Sequence, residues 1–198
     1  WANIHRYERQ GVSFTGMDER QRSLAYGLLQ TSLSAKGLKI TRDIMRLNET
    51  LAEITQRPEE YGEFLYWITM MGTPSATEPW GWQLDGHHLV INYFVLGDQV
   101  VMTPTFMGSE PVFASGGKYQ GTRILEAHRD RGLALVHALN TAQRGQAILE
   151  ATKPNNRNRS ELFRDNVVIP FEGVRADALN ARQQSLLIGL IGEYVGNM

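Results

Sequence analysis

The stretch that decides the fold is Trp80-Gly-Trp-Gln-Leu-Asp-Gly-His-His-Leu-Val-Ile-Asn-Tyr-Phe94, followed after a short gap by Thr103-Pro-Thr-Phe-Met-Gly-Ser-Glu-Pro111. Aromatic and β-branched residues dominate it, and Gly, Pro and Asp fall at the breaks, which is the pattern of short strands joined by turns. Asp85-Gly86 and Gly97-Asp98 are dipeptides that favour two-residue hairpins, because Gly and Asp tolerate the positive φ such turns need. Upstream, Glu63 to Met71 reads as a strand and Thr73 to Pro79 as a loop. Connections this short leave no room for the crossovers that parallel strands require, so an antiparallel β-meander is expected over about residues 63–106.

Outside the meander the pattern turns helical. Asp18, Asn140 and Asn180 each precede a run of polar helix formers, where their side chains can accept from the free N–H groups of a first turn. The first helix is expected from Asp18 to about Ala35, with Gly37 as its stop, and the last from Asn180 to about Val195, with Gly196 in the same role. Ile44, Leu47, Leu51 and Ile54 recur at spacings of three and four and line one face of a core-facing helix, on which Arg46, Asn48 and Glu53 read as surface. Another helix is expected over Thr122 to Leu139, weakened at Gly132; its histidines, His128 and His137, fall on opposite faces. N-terminal and C-terminal helices around a meander make an α+β architecture. With 198 residues, 42% of them hydrophobic, the chain can bury one core, and a single domain over residues 1–198 is expected.

Composition narrows the function classes. A net charge of -1 gives no reason to expect nucleic acid, and the Arg-rich stretch from Arg157 to Arg164 is broken by asparagines and Glu161, so it reads as a solvated loop. The absence of cysteine excludes disulfides, thiolate metal sites and cysteine nucleophiles. The longest apolar run, Leu186 to Ile191, is interrupted by Gly189 and is too short for membrane insertion, and the N-terminus is polar rather than signal-like. Arg164-Asp165-Asn166 reads as a turn before a short strand from Val167 to Pro170. Dinucleotide-binding, phosphate-loop, serine-elbow and zincin motifs are all missing.

The histidine pair is the chemical question. On an Asp85-Gly86 turn, Leu84 lies opposite His87, Gln83 opposite His88 and Trp82 opposite Leu89. One face then carries Trp80, Trp82, Leu84, His87, Leu89, Ile91, Tyr93 and Val95, extended by Val100, Met102, Pro104 and Phe106, and reads as core. The other carries Gln83, His88, Val90, Asn92 and Phe94, joined by Val101, Thr103 and Thr105. Adjacent histidines on a regular strand point to opposite sides, so the two bind one ion only if a bulge follows the turn. His87 is expected among apolar groups as a hydrogen-bonded neutral imidazole, and His88 as metal ligand or general acid/base. Glu110 either supplies a carboxylate or is a solvated turn residue. The expected catalytic residues are His88, Asn92, Thr105 and Glu110, and the expected metal ligands are His88, His87 and Glu110.

Pro79-Trp-Gly-Trp-Gln-Leu-Asp-Gly-His-His-Leu89, Thr103-Pro-Thr-Phe106 with Gly108-Ser-Glu-Pro111, and Arg42-Asp-Ile-Met-Arg-Leu-Asn48 together resemble domain-of-unknown-function family 3500, a group of uncharacterised bacterial proteins. Gly117-Lys-Tyr-Gln-Gly-Thr-Arg123 and Phe163-Arg-Asp-Asn166 extend the resemblance over nearly the whole chain. The family carries no established reaction. The resemblance implies a further C-terminal segment, with histidines and an acidic residue, beyond the position of Met198. On that expectation the chain is a fragment or one piece of a cleaved protein, and the missing segment or a companion chain completes a metal site around His88.

Two functions are expected. One is a metal-dependent, hydrolase-like enzyme that takes a small-molecule substrate into a pocket on the polar face of the meander and uses a divalent zinc, iron or copper ion. Iron or copper would support an oxidative reaction equally well, since imidazole suits all three metals. The alternative is a non-catalytic binding or interaction module that presents Trp80, Trp82 and Tyr93 to a partner or carbohydrate.

Overall fold

The computed structural model describes residues 7–152 and 168–198. Its elements, in chain order, are β1 (Val12–Ser13), α1 (Glu19–Ser32), α2 (Ala35–Thr55), β2 (Tyr66–Met71), β3 (Trp80–Gly86), β4 (Leu89–Leu96), β5 (Gln99–Val101), β6 (Thr105–Met107), α3 (Glu126–Ala138), α4 (Thr141–Ala147) and α5 (Ala181–Val195). The strands form one antiparallel sheet in the order β1-β2-β3-β4-β5, with β6 also pairing with β4. The protein is therefore α+β with a β-meander and helices on both sides of it in sequence. No described helix is long and apolar enough to cross a membrane. The loop expected at Arg157 to Arg164, the turn at Arg164 to Asn166 and the Phe163 to Asn166 motif lie outside the described residues. So does Val167, and Val168 to Pro170 form no strand.

Contacts divide the chain into two compact units, one running up to Ile124 and including Asn197–Met198, the other Leu125–Gly196. In the first unit α1 starts at an Asp18 N-cap with a reciprocal Gln21 bond, as its sequence predicts. It ends earlier than expected, because Ser34 caps a new helix by accepting from the Gly37 N–H. Gly37 is thus in the first turn of α2 and is not a helix stop. A Cβ there would lie 2.0 Å from the Asn197 carbonyl oxygen, so its lack of a side chain serves a close backbone approach. Ile40, Ile44, Leu47 and Leu51 of α2 are buried at helical spacing.

In the second unit α4 and α5 begin at the expected caps, Asn140 and Asn180, each with a capping box. The two boxes are joined: Gln143 and Gln183 exchange side-chain hydrogen bonds, and Gln183 also donates to the Ala138 carbonyl at the end of α3. Gly132 lies inside α3 without breaking it. Arg131 of α3 pairs with Glu193 of α5 at 2.7 Å.

The meander departs from expectation in one decisive way. β3 runs through Asp85-Gly86, pairing Gly86 with Leu89, Asp85 with Val90 and Leu84 with Ile91, so the turn is His87-His88. The tight turn at Gly97-Asp98 is as expected, with Leu96 opposite Gln99. The hairpin shift is two residues on each strand, an even number, so the face assignments of the strand residues survive it. Trp82, Leu84, Leu89 and Ile91 are fully buried on one face, with Tyr93 nearly so. β2 is also shorter than the sequence suggests, since Glu63 turns away to bind Lys118 and Tyr119.

Gly86 permits the shift. Its Cβ would lie 2.1 Å from the Tyr66 ring, which faces it from β2. Gly86→Ala is expected to force that fully buried ring aside and destabilise the fold by about 1–3 kcal/mol, the usual range for overpacking. Gly132→Ala, in helix and with nothing within 4 Å of the added carbon, is expected to stabilise by about 0.5–1 kcal/mol. Urea unfolding midpoints of the two variants should therefore move in opposite directions.

Candidate metal centre

Because His87 and His88 form the turn, strand alternation does not separate them. Their rings lie 4.2 Å apart, nearly edge to face. His88 has φ 58, in the left-handed region where His is among the commoner non-glycine residues. Its carbonyl accepts from the Gly108 N–H at 2.8 Å.

That bond brings the third group in. β6 pairs Met107 with Leu89, Phe106 with Val90 and Thr105 with Ile91. Continuing the register of β5, where Val100 meets Val95, would have set Phe106 opposite Leu89. The break at Met102 to Pro104 moves the pairing by one residue, which transfers Phe106 from the expected core face to the side of Val90, with its ring 6.3 Å from that of His88. Gly108 then passes close to the turn: a Cβ on it would be 3.0 Å from the Phe106 ring and 3.4 Å from His88 Nδ1. Two residues on, Glu110 Oε2 lies 3.6 Å from His88 Nε2. His87, His88 and Glu110 each offer a ligand atom, and these atoms lie within 4.8 Å of one another. Ligands about 2.0–2.2 Å from a common ion are spaced roughly 3–3.5 Å apart, so the three would have to close in by about 1 Å to hold one cation. Among the described residues no other group of three histidine or acidic side chains converges in this way.

His87 is held from three sides. Its Nδ1 is 2.9 Å from Asn48 Oδ1. Its carbonyl accepts from the Tyr66 hydroxyl at 2.9 Å, and the Tyr61 ring lies 5.2 Å away. Burial pushes the Tyr66 phenol well above its ordinary pKa, so the hydroxyl remains a donor. Asn48, expected at the surface, is buried, and its amide donates to the Gly62 carbonyl at 2.9 Å. The signal was present: Asn48 stands four residues after Ile44 and three before Leu51, on the apolar side of α2.

Beside His87 opens a cleft of about 830 Å³, lined also by Tyr7, Arg9, Glu59, Glu60, Leu65 and Trp67. Asp85 is buried next to it and serves as no turn residue. Its carboxylate accepts from the Tyr7 hydroxyl at 2.5 Å and lies 3.6 Å from Arg9 Nε. Burial, then the Asp85 carboxylate, pushes the Tyr7 phenol up, which keeps its proton on the shared hydrogen bond.

The other expected site residues are elsewhere. Asn92 accepts from Gln83 and donates to the Pro104 carbonyl, three residues beyond Leu89 and so roughly 10 Å along the strand from the turn. The Thr105 hydroxyl donates to the Met102 carbonyl. Trp82 is fully buried and stacked on Tyr93 at 5.2 Å, while Trp80 is half-buried and donates to the Ser75 carbonyl. In the second unit His128 sits edge-on to Tyr194 at 4.9 Å.

Comparison with known proteins adds a family and no reaction. Nothing matched among curated proteins, and nothing matched among solved structures. The family model described as "Protein of unknown function (DUF3500)" matches residues 1–198, and the chain belongs to that family.

Proposed function

We propose that His87, His88 and Glu110 bind one divalent metal ion and that the protein is a metal-dependent hydrolase acting on a small polar molecule held in the adjoining cleft. The observation that carries this reading is the convergence of two imidazoles and one carboxylate within 4.8 Å, one of them, His87, also lining a cleft. Three protein ligands, two neutral and one anionic, are the pattern of catalytic rather than structural sites, since they leave a coordination position for water or substrate. A bound ion would supply Lewis acidity and an activated water. Glu110 is the exposed member and His87 and His88 are half-buried, so the donor set has an open side. The cleft volume is within the range of small-molecule sites. Tyr7, Trp67 and Leu65 give it apolar walls, and Arg9, Glu59 and Glu60 give it hydrogen-bonding groups that would orient a polar substrate. The same donor set, two histidines and a carboxylate, also suits non-haem iron and oxidative chemistry. The identity of the resident metal separates the two.

Protein purified without chelator should contain about one divalent ion per chain by elemental analysis. His88→Ala and Glu110→Gln should each weaken metal binding by more than the roughly 10–100-fold typical of losing an outer-sphere partner, while Asn92→Ala leaves it unchanged. A chain without stoichiometric metal, or a His88→Ala variant that binds as well as the parent, sinks the proposal. Zinc together with chelator-sensitive hydrolysis of ester, amide or phosphoester probes supports the hydrolase, and iron with oxygen consumption supports the second reading. Metal affinity should also fall as pH falls, because imidazoles bind only when deprotonated and protons compete for both of them. Calorimetric titrations that give one affinity from acid to alkaline pH would contradict histidine ligation.

A further inference from the structure

We infer that Asn48 is a positioning residue that fixes His87 as the Nδ1–H tautomer, which makes Nε2 the nitrogen that would donate to a metal ion. The consequence for metal binding rests on the proposed centre; the tautomer does not. A chain of hydrogen bonds links Gly62, Asn48 and His87, and each polarity in it is forced. The Gly62 carbonyl can only accept, so the atom of Asn48 that meets it at 2.9 Å is the amide nitrogen. The amide oxygen must then face His87, and it lies 2.9 Å from Nδ1. An amide oxygen also only accepts, so Nδ1 carries the hydrogen, and in a neutral imidazole the lone pair is left on Nε2.

The surroundings make this choice firm. Asn48 is 3% exposed, so little water is at hand to compensate a mismatched pair, and the opposite tautomer would set two lone pairs against each other in a buried place. The His87 backbone is tied independently by the Tyr66 hydroxyl. The imidazole is therefore fixed in position by β2 and in protonation by α2. An amide does this without charge. A carboxylate in the same place would add negative charge behind the ligand and blunt the Lewis acidity of a bound ion, whereas Asn48 orients the ring and leaves Glu110 as the one anionic donor.

The test is imidazole ¹⁵N NMR of His87 in metal-free protein at alkaline pH, combined with zinc competition titrations, on the parent chain, Asn48→Leu and Asn48→Asp. Leucine keeps the bulk and removes the acceptor; aspartate keeps an acceptor toward Nδ1. The parent and Asn48→Asp should show the Nδ1–H tautomer. Asn48→Leu should shift toward Nε2–H and lose about 10–100-fold in zinc affinity. A parent His87 in the Nε2–H form overturns the inference at once, even if Asn48→Leu fails to fold, and so does an Asn48→Leu variant with tautomer and affinity unchanged. A parent that shows the Nδ1–H form, loses it in Asn48→Leu and yet binds no zinc upholds the role of Asn48 while removing the metal reading.

Discussion

The Tyr66 ring occupies the space that a side chain at residue 86 would need, and much of the molecule's chemistry follows from that contact. Glycine is the one residue that lets the ring pass. With Gly86 paired to Tyr66 on one edge and to Leu89 on the other, it is committed to the sheet and is not available as a turn residue. The chain must reverse in the next two residues, and those are the histidines. The same tyrosine uses its hydroxyl to hold the His87 carbonyl, so one fully buried side chain both packs on Gly86 and anchors the turn. Asp85, which would have been a solvated turn residue, is drawn into the interior instead. There it needs Tyr7 and Arg9, since a buried carboxylate without partners is costly.

A second register event completes the constellation. If β6 had continued the pairing begun by β5, Phe106 would have faced the core and the chain beyond it would have left the sheet in a different phase. The one-residue offset across Met102 to Pro104 puts Met107 opposite Leu89, so that Gly108 falls level with His88 and bonds its carbonyl. Glu110 reaches the histidines because of this offset. Two changes of register, one even and one odd, have opposite effects: the even shift preserves the face each strand residue takes, and the odd one exchanges it.

This difference also explains how far the sequence could be read. The caps at Asp18, Asn140 and Asn180 were legible because a cap depends only on residues within one turn of it. The buried face formed by Trp82, Leu84, Leu89, Ile91 and Tyr93 was legible because alternation is insensitive to an even shift. The position of the turn was not, since Asp-Gly is a strong local hairpin signal and the Tyr66 ring that overrides it is twenty residues distant in sequence. Gly37 misled for a similar reason: its neighbour Asn197 comes from the far end of the chain. Asn48 is an intermediate case. Its place on the apolar side of α2 marked it as buried, but its polarity argued for surface, and only the Gly62 and His87 partners reconcile the two.

Two features at the turn run against stability taken alone. A non-glycine residue in the left-handed region costs about 1–2 kcal/mol, and His88 is in that region. A polar side chain on the buried stripe of a helix forgoes the apolar burial usual at such a place, and Asn48 occupies one. A glycine at 88 and an apolar residue at 48 would be the simpler solutions for folding. Both costs act on the same pair of imidazoles, one setting the course of the backbone at His88 and the other the protonation of His87. Structure maintained against its own local preferences is a reason to look for function at that point. Here the point is the one where two nitrogen donors and a carboxylate meet beside a cleft.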